Sequence, residues 1–109
     1  MSPTQRSLKF LRDSGWTVAI VEKWNQWAKI RQDLFGFADL VSIKAGEGIV
    51  AVQVTTKSNM SARVKKILSE PRALVWVQAG GKIEVHGWAK QGERGKRKKW
   101  ELTKTEVTP

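Results

Sequence analysis

The segment between residues 58 and 71 constrains this chain most. Met60, Val64, Ile67 and Leu68 recur at i, i+4, i+7 and i+8, one apolar stripe of a helix, and Arg63, Lys65 and Lys66 lie off that stripe. Ser58 or Asn59 can cap its start, and Pro71 forces an exit. On its amino side lie two runs rich in β-branched residues, 37–44 and 49–56, joined by the glycine-bearing connection Ala45-Gly46-Glu47-Gly48. On its carboxyl side, residues 73–79 and 82–88 read as a second hairpin around Gly80-Gly81. A helix between strands demands a crossover, so the strand before it and the strand after it are expected to run parallel.

The flanking segments complete an α/β domain. Ser2-Pro3 opens a helix over 3–14, with Leu8 and Leu11 at helical spacing and Gly15 as its stop. Residues 16–22 are an apolar, β-branched run that reads as a buried strand. Residues 23–36 show no period and read as a loop with one helical turn, and 99–107 alternate enough to be a final strand. The expected order is α-β-β-β-α-β-β with an extra strand, one sheet flanked by two helices, in a single domain over 1–109.

Charge narrows the function. Twenty Lys and Arg against ten Asp and Glu leave +10, which favours nucleic acid or another polyanion as partner. The absence of cysteine excludes disulfides and thiolate metal sites, and one histidine cannot build a multi-histidine zinc centre. No apolar run approaches a membrane span and no signal-peptide core opens the chain, so a soluble, cytoplasmic protein is expected.

Alternation along 49–56 places Gln53 and Thr55 on one face and Val52 and Val54 on the other, and Lys57 continues the polar series if the strand extends that far. Asp39 opens the preceding strand and can approach Gln53 and Thr55 across the ladder. Oxygens so placed can hold a divalent cation against a phosphate. Glu22 and Asp33 are further candidate acids.

Gly36-Phe37-Ala38-Asp39-Leu40-Val41 followed by Val52-Gln53-Val54-Thr55 resembles the PD-(D/E)xK nuclease superfamily, most closely the small archaeal-type Holliday junction resolvases and related phage nucleases. The resemblance covers roughly residues 3 to 88. It implies a restriction-endonuclease-like domain with an α-β-β-β-α-β core, a mixed central sheet and extra C-terminal strands. It also implies Mg2+ (or Mn2+) as cofactor, branched or structured DNA as substrate, a homodimer, and a phage among the sources. Asp39 matches the first motif acid, Gln53 stands where the second acid is expected, and Thr55 stands where the lysine is expected. Gln offers only a neutral oxygen and Thr no charge, so Lys57 is the candidate to restore the cation and Glu22 to supply a ligand. The helix-borne Glu of the family would fall near Thr4 or Gln5, a further departure.

Each residue also has a structural reading. Asp39 could cap a turn, Gln53 and Thr55 could face solvent, Glu22 could pair with a lysine, and Asp33 could be an ordinary loop residue. His86 is a candidate general base, or a structural strand residue. Trp24 and Trp27, beside Lys23, Lys29 and Arg31, suit either stacking on an unpaired base or a dimer patch. Arg63 and Lys66, with Arg94, Lys96, Arg97, Lys98 and Lys99 of a basic run, are the remaining candidates for phosphate contact, the run being either a backbone-tracking arm or a solvated tip. Three functions remain: a magnesium-dependent endonuclease, a non-catalytic nucleic-acid-binding domain of degenerate nuclease fold, and a basic module that binds an acidic protein.

Overall fold

The structure, a computed structural model, describes residues 1–92, 95 and 97–109, so Arg94 and Lys96 of the basic run lie outside the described residues. Ser2 caps the first helix, α1 (Pro3–Asp13), its hydroxyl accepting from Gln5 N at 3.2 Å. Strand β1 (Thr17–Ile20) follows. The segment read as a loop contains instead two short strands, β2 (Lys23–Asn25) and β3 (Ile30–Gln32), paired antiparallel in a sheet of their own. Then come β4 (Leu40–Lys44) and β5 (Gly48–Thr56), the expected hairpin. A 3-10 turn (Lys57–Asn59) leads into α2 (Met60–Leu68).

Residues 73–79 are not a strand. Residues 73–78 belong to α3 (Pro71–Gln78), which Ala79 caps, followed by β6 (Lys82–Gln91) and β7 (Lys99–Glu106). Pro71 takes the first turn of α3, and the Glu70 carboxylate accepts from Arg72 N at 3.3 Å. Ala73, Trp76 and Val77 then face the core while Leu74 and Val75 are exposed, a helical period that the Val and Trp content disguises. Gly80-Gly81 is the turn out of this helix. A Cβ on Gly81 would meet the Trp76 indole nitrogen at 2.3 Å, and that nitrogen donates to Lys82 O at 2.9 Å.

The main sheet has the order β1-β4-β5-β6-β7. Only β5 and β6 run parallel, joined by the two-helix crossover; the other pairs are antiparallel. The fold is α/β with a mixed central sheet, and the parallel partner of β5 is 82–91 rather than 73–79. Val50 to Thr55 on β5 are all buried, because helices cover both faces. Val52, Val54 and Trp88 pack with Leu8 and Leu11 of α1 on one face. Ala51, Ile83 and Val85 pack with Ile67 of α2 and Ala73 of α3 on the other. Among the described residues no helix is long and apolar enough to cross a membrane.

His86 lies on the α1 face. Its Nδ1 is hydrogen-bonded to Ser7 Oγ at 2.9 Å, its Nε2 faces Glu84 Oε1 at 3.4 Å, and Ser7 Oγ accepts from Trp88 Nε1 at 2.8 Å. Ser7 and His86 are fully buried, and the bond from His86 holds the Glu84 carboxyl below its usual range. The order of groups is that of a hydrolytic triad, but no substrate can reach it. The structural reading of His86 holds.

Candidate metal centre beside a basic cleft

Three carboxylates meet on the opposite face, under the α2 and α3 layer. Asp39 sits one residue before β4, and two backbone bonds stitch it in place: its N–H donates to Val52 O and its carbonyl accepts from Val21 N, both at 2.9 Å. The second bond fixes Glu22 beside it. A further bond, Leu34 N to Ala38 O at 2.8 Å, folds the preceding turn back and delivers Asp33 to the same place. That turn is held by two successive left-handed residues, Phe35 (φ 54°) and Gly36 (φ 80°). Such a conformation costs a bulky Phe energy, the kind of strain that surrounding contacts must hold in place. One oxygen from each of Glu22, Asp33 and Asp39 lies within 4.8 Å of the others.

Asp39 is the buried member. Its Oδ2 accepts from Gln53 Nε2 and from Val54 N, each at 2.7 Å. These are the cross-ladder contacts expected of a β4–β5 hairpin, and they exclude the turn-capping reading of Asp39. The Asp39 carboxyl is pushed up from 3.8 to about 8, above all by burial and then by its hydrogen bond to Asp33. The charges of Asp33 and Glu22 add to this, while the Val54 amide pulls the other way. At neutral pH the metal-free cluster therefore retains a proton that a cation would displace.

Gln53 and Thr55 are 2% and 7% exposed, which excludes a solvated face for either. Gln53 uses its amide nitrogen on Asp39, and its Oε1 is buried with no hydrogen-bond partner among the described residues. A buried carbonyl oxygen without a donor is costly, and on a residue bonded to Asp39 it is a group a hard cation would satisfy. The donor set, three carboxylates and one amide oxygen, fits Mg2+ or Mn2+.

Lys57 is not part of this arrangement. β5 ends at Thr56 and Lys57 begins the 3-10 turn, so the strand alternation that would have carried it to the Gln53 face stops one residue short. With the Gln91 amide in the orientation that satisfies both its neighbours, the Lys57 amine donates to its oxygen at 2.7 Å and its nitrogen donates to Glu101 at 2.6 Å. Thr55 stays on the Gln53 face, farther along β5, and brings no charge. The cations beside the cluster come from elsewhere. Lys66 of α2 lies 3.3 Å from Asp33 Oδ2, and Arg31 of β3 lies 2.9 Å from Glu22 Oε1. Glu22 thus pairs with an arginine rather than a lysine, and its side chain is 12% exposed.

Arg31, Lys66 and Arg72, with Gln32, Asp33 and Gly36, line an open cleft of about 420 Å³ that shares Asp33 with the cluster. Gly36 lets the Arg72 side chain approach, since a Cβ there would meet its guanidinium at 2.8 Å. Arg63 lies one turn before Lys66 on α2 and is half-buried. Lys23 is exposed on β2, and Arg97, Lys98 and Lys99 are exposed where the chain enters β7. Because β6 runs parallel to β5, this basic turn projects from the sheet end that bears the carboxyl end of β5. Asp33, one of the two further candidate acids, joins the cluster, and Arg72 is the cleft residue that the sequence pattern did not single out. A tight Phe35-Gly36 turn was the only local signal for Asp33, and Arg72 had none once 73–79 was read as a strand. Comparison of the chain with protein-family models, curated proteins and solved structures finds no match.

Proposed function

We propose that this chain is a metal-dependent endonuclease of restriction-endonuclease-like fold that hydrolyses phosphodiesters in branched or structured DNA. The observation that carries the reading is the triad Glu22, Asp33 and Asp39, with Gln53, whose Oε1 is unpartnered, bonded to Asp39, next to a cleft lined by three cations. Acids alone would repel a nucleic acid and cations alone would only bind it. A cation-binding pocket sharing Asp33 with a basic cleft can do both.

Glu22, Asp33, Asp39 and Gln53 would hold a divalent ion, which when bound supplies Lewis-acid stabilisation of the charge growing on the phosphate. Arg31, Lys66 and Arg72 orient the scissile group by its non-bridging oxygens, and Lys66, 3.3 Å from Asp33, is the cation nearest the acid cluster from the helical layer. A water oxygen bonds to phosphorus in line as it gives up a proton to solvent, the opposite P–O bond breaks, and the departing oxygen takes a proton from solvent. Lys23, Arg63 and the turn bearing Arg97, Lys98 and Lys99 hold the flanking backbone without reading bases. A four-way junction presents two symmetric scissile positions, which a homodimer would match.

The non-catalytic reading draws on one fact, the Lys57 amine turned toward Gln91. A labelled four-way junction incubated with Mg2+ or Mn2+ tests between them. Cleavage is expected, and Asp39→Ala should reduce it by on the order of 10³-fold, since several kcal/mol of charge stabilisation go with the ion. Tight junction binding with no cleavage in either metal would establish a binding domain instead.

A further inference from the structure

The β2–β3 hairpin stands off the main sheet and presents aromatic surface to solvent. Trp27 at its turn is 90% exposed and Trp24 on β2 is 62% exposed. Neither packs against the core clusters. Yet the turn is ordered: Asn25 Oδ1 accepts from both Trp27 N and Ala28 N at 3.0 Å, and Lys29 adopts a left-handed φ of 54°. Two large apolar rings held out on a pre-organised turn mark a surface built to be covered.

The surroundings say by what. Residues 23–32 carry Lys23, Lys29 and Arg31 and no acid, so the rings are set among cations. The hairpin is bracketed in the chain by two carboxylates of the metal cluster, Glu22 immediately before β2 and Asp33 immediately after β3. Trp24 is paired directly with Arg31, whose guanidinium binds Glu22 and lines the basic cleft. Gln32 lines both that cleft and the notch that holds Trp24 and Trp27, so the two surfaces adjoin. Trp27 is five residues from Glu22, a span of at most roughly 16 Å, on the order of a few nucleotides. A notch lined by Lys23, Trp24, Asn25, Gln26, Trp27 and Gln32 completes this surface.

We infer that the β2–β3 hairpin is a stacking platform for unpaired nucleobases, in which Trp24 and Trp27 receive bases while Lys23 and Lys29 contact the adjoining phosphates. The inference rests on the nucleic-acid reading of the neighbouring cleft and makes it more specific: the substrate has unpaired nucleotides close to the phosphate at the cluster. Ring faces accept any base, so the platform selects for strand state rather than for sequence.

The test is binding in EDTA, where no cleavage occurs and catalytic competence is irrelevant. Fluorescence anisotropy is read with a labelled single strand, a forked duplex and a fully paired duplex of the same sequence. Trp24→Ala and Trp27→Ala should each weaken single-strand and fork binding by about 5- to 150-fold while leaving the paired duplex within about twofold. Trp27→Phe, which keeps a ring, should recover most of the loss. Sedimentation of the wild type and Trp27→Ala should show the same association state. Unchanged single-strand affinity in both alanine variants overturns the inference, as does an equal loss for all three probes. A dimer that dissociates in Trp27→Ala also overturns it, by making the patch a contact between copies. If the wild type cuts nothing but the alanine variants lose single-strand binding selectively, the platform stands and the nuclease reading falls.

Discussion

Under α1, Ser7, His86 and Trp88 commit their buried polar atoms to one another and to Glu84, so the serine hydroxyl bonds to both rings and both imidazole nitrogens face a partner. Under α2 and α3, the same sheet buries Asp39 and Gln53, but the carboxyl is pushed toward its neutral form and the amide oxygen has no donor. The two faces bury comparable polar groups for opposite ends. A closed network fixes how α1 sits on the sheet and stabilises the fold. An open one is held together by the surrounding backbone bonds and is complete only when something else arrives. An orphaned atom on the α1 side, Arg6 Nε, does not spoil the contrast, because that guanidinium lies 4.2 Å over the Trp100 ring.

The contrast is most exposed to pH. Asp39 in the folded protein holds its proton up to about 8 against 3.8 when unfolded, so between these values the folded state binds more protons. The Asp39 contribution to the stability of the metal-free protein is therefore full below pH 4 and is lost as pH rises toward 8, by on the order of a few kcal/mol. Glu70 and Glu84 are shifted down, so their contributions are lost as pH falls and run opposite to that of Asp39, which is read in the window from pH 5 to about 8. Urea denaturation in EDTA across that window should show the decline, and Asp39→Asn should flatten it. Saturating Mg2+ should oppose it, because a cation binds the deprotonated cluster. A flat wild-type profile would mean that the two faces are equally at ease.

Ser7→Ala attacks the satisfied face. It removes one hydroxyl but strands two buried groups, His86 Nδ1 and Trp88 Nε1, and should cost about 2–3 kcal/mol in chemical denaturation. Cleavage measured where the variant is still folded should be unchanged, since Ser7 and Asp39 lie on opposite faces of the sheet. A cleavage defect without a stability loss would place the chemistry on the α1 side and reverse the assignment of the two faces.

What could be foreseen follows from how local each signal is. The cap at Ser2-Pro3, the Gly46 turn and the Met60-Val64-Ile67 stripe are short-range patterns, and α1, the β4–β5 hairpin and α2 formed on them. Strand alternation alone placed Asp39 opposite Gln53. It failed for Lys57, because nothing in Thr56-Lys57-Ser58 announces that the strand gives way to a 3-10 turn there. Leu74, Val75, Trp76 and Val77 before Gly80-Gly81 imitate a strand and hairpin, and the proline after Glu70 was the better guide. Strands of three residues such as β2 and β3 are too short to show a period. The carboxylate triad depends on the bonds Val21–Asp39 and Leu34–Ala38, contacts between irregular segments that no periodicity encodes.

Gln53→Glu tests whether the open face is built around its missing partner. The substitution keeps the length and places a carboxylate oxygen where the amide oxygen lies unpaired, so an added cation meets four charged ligands instead of three. Divalent affinity should rise by on the order of tenfold, since ligand charge sets the strength of binding to hard cations. Titration calorimetry with Mg2+ or Mn2+ reads it directly. The gain has a cost in the metal-free state: the new carboxylate can no longer donate to Asp39 Oδ2 as the Gln53 amide does, and it adds a fourth acid to the group. The variant should therefore be less stable than the wild type in EDTA and recover that difference as metal is added, a crossing that a merely structural Gln53 would not produce. Cleavage need not quicken, because tighter binding of the ion before reaction lowers no barrier by itself. Unchanged affinity would remove Gln53 from the ligand set and leave its buried oxygen as a plain structural cost, which would bring the two faces of the sheet closer together than their hydrogen bonding suggests.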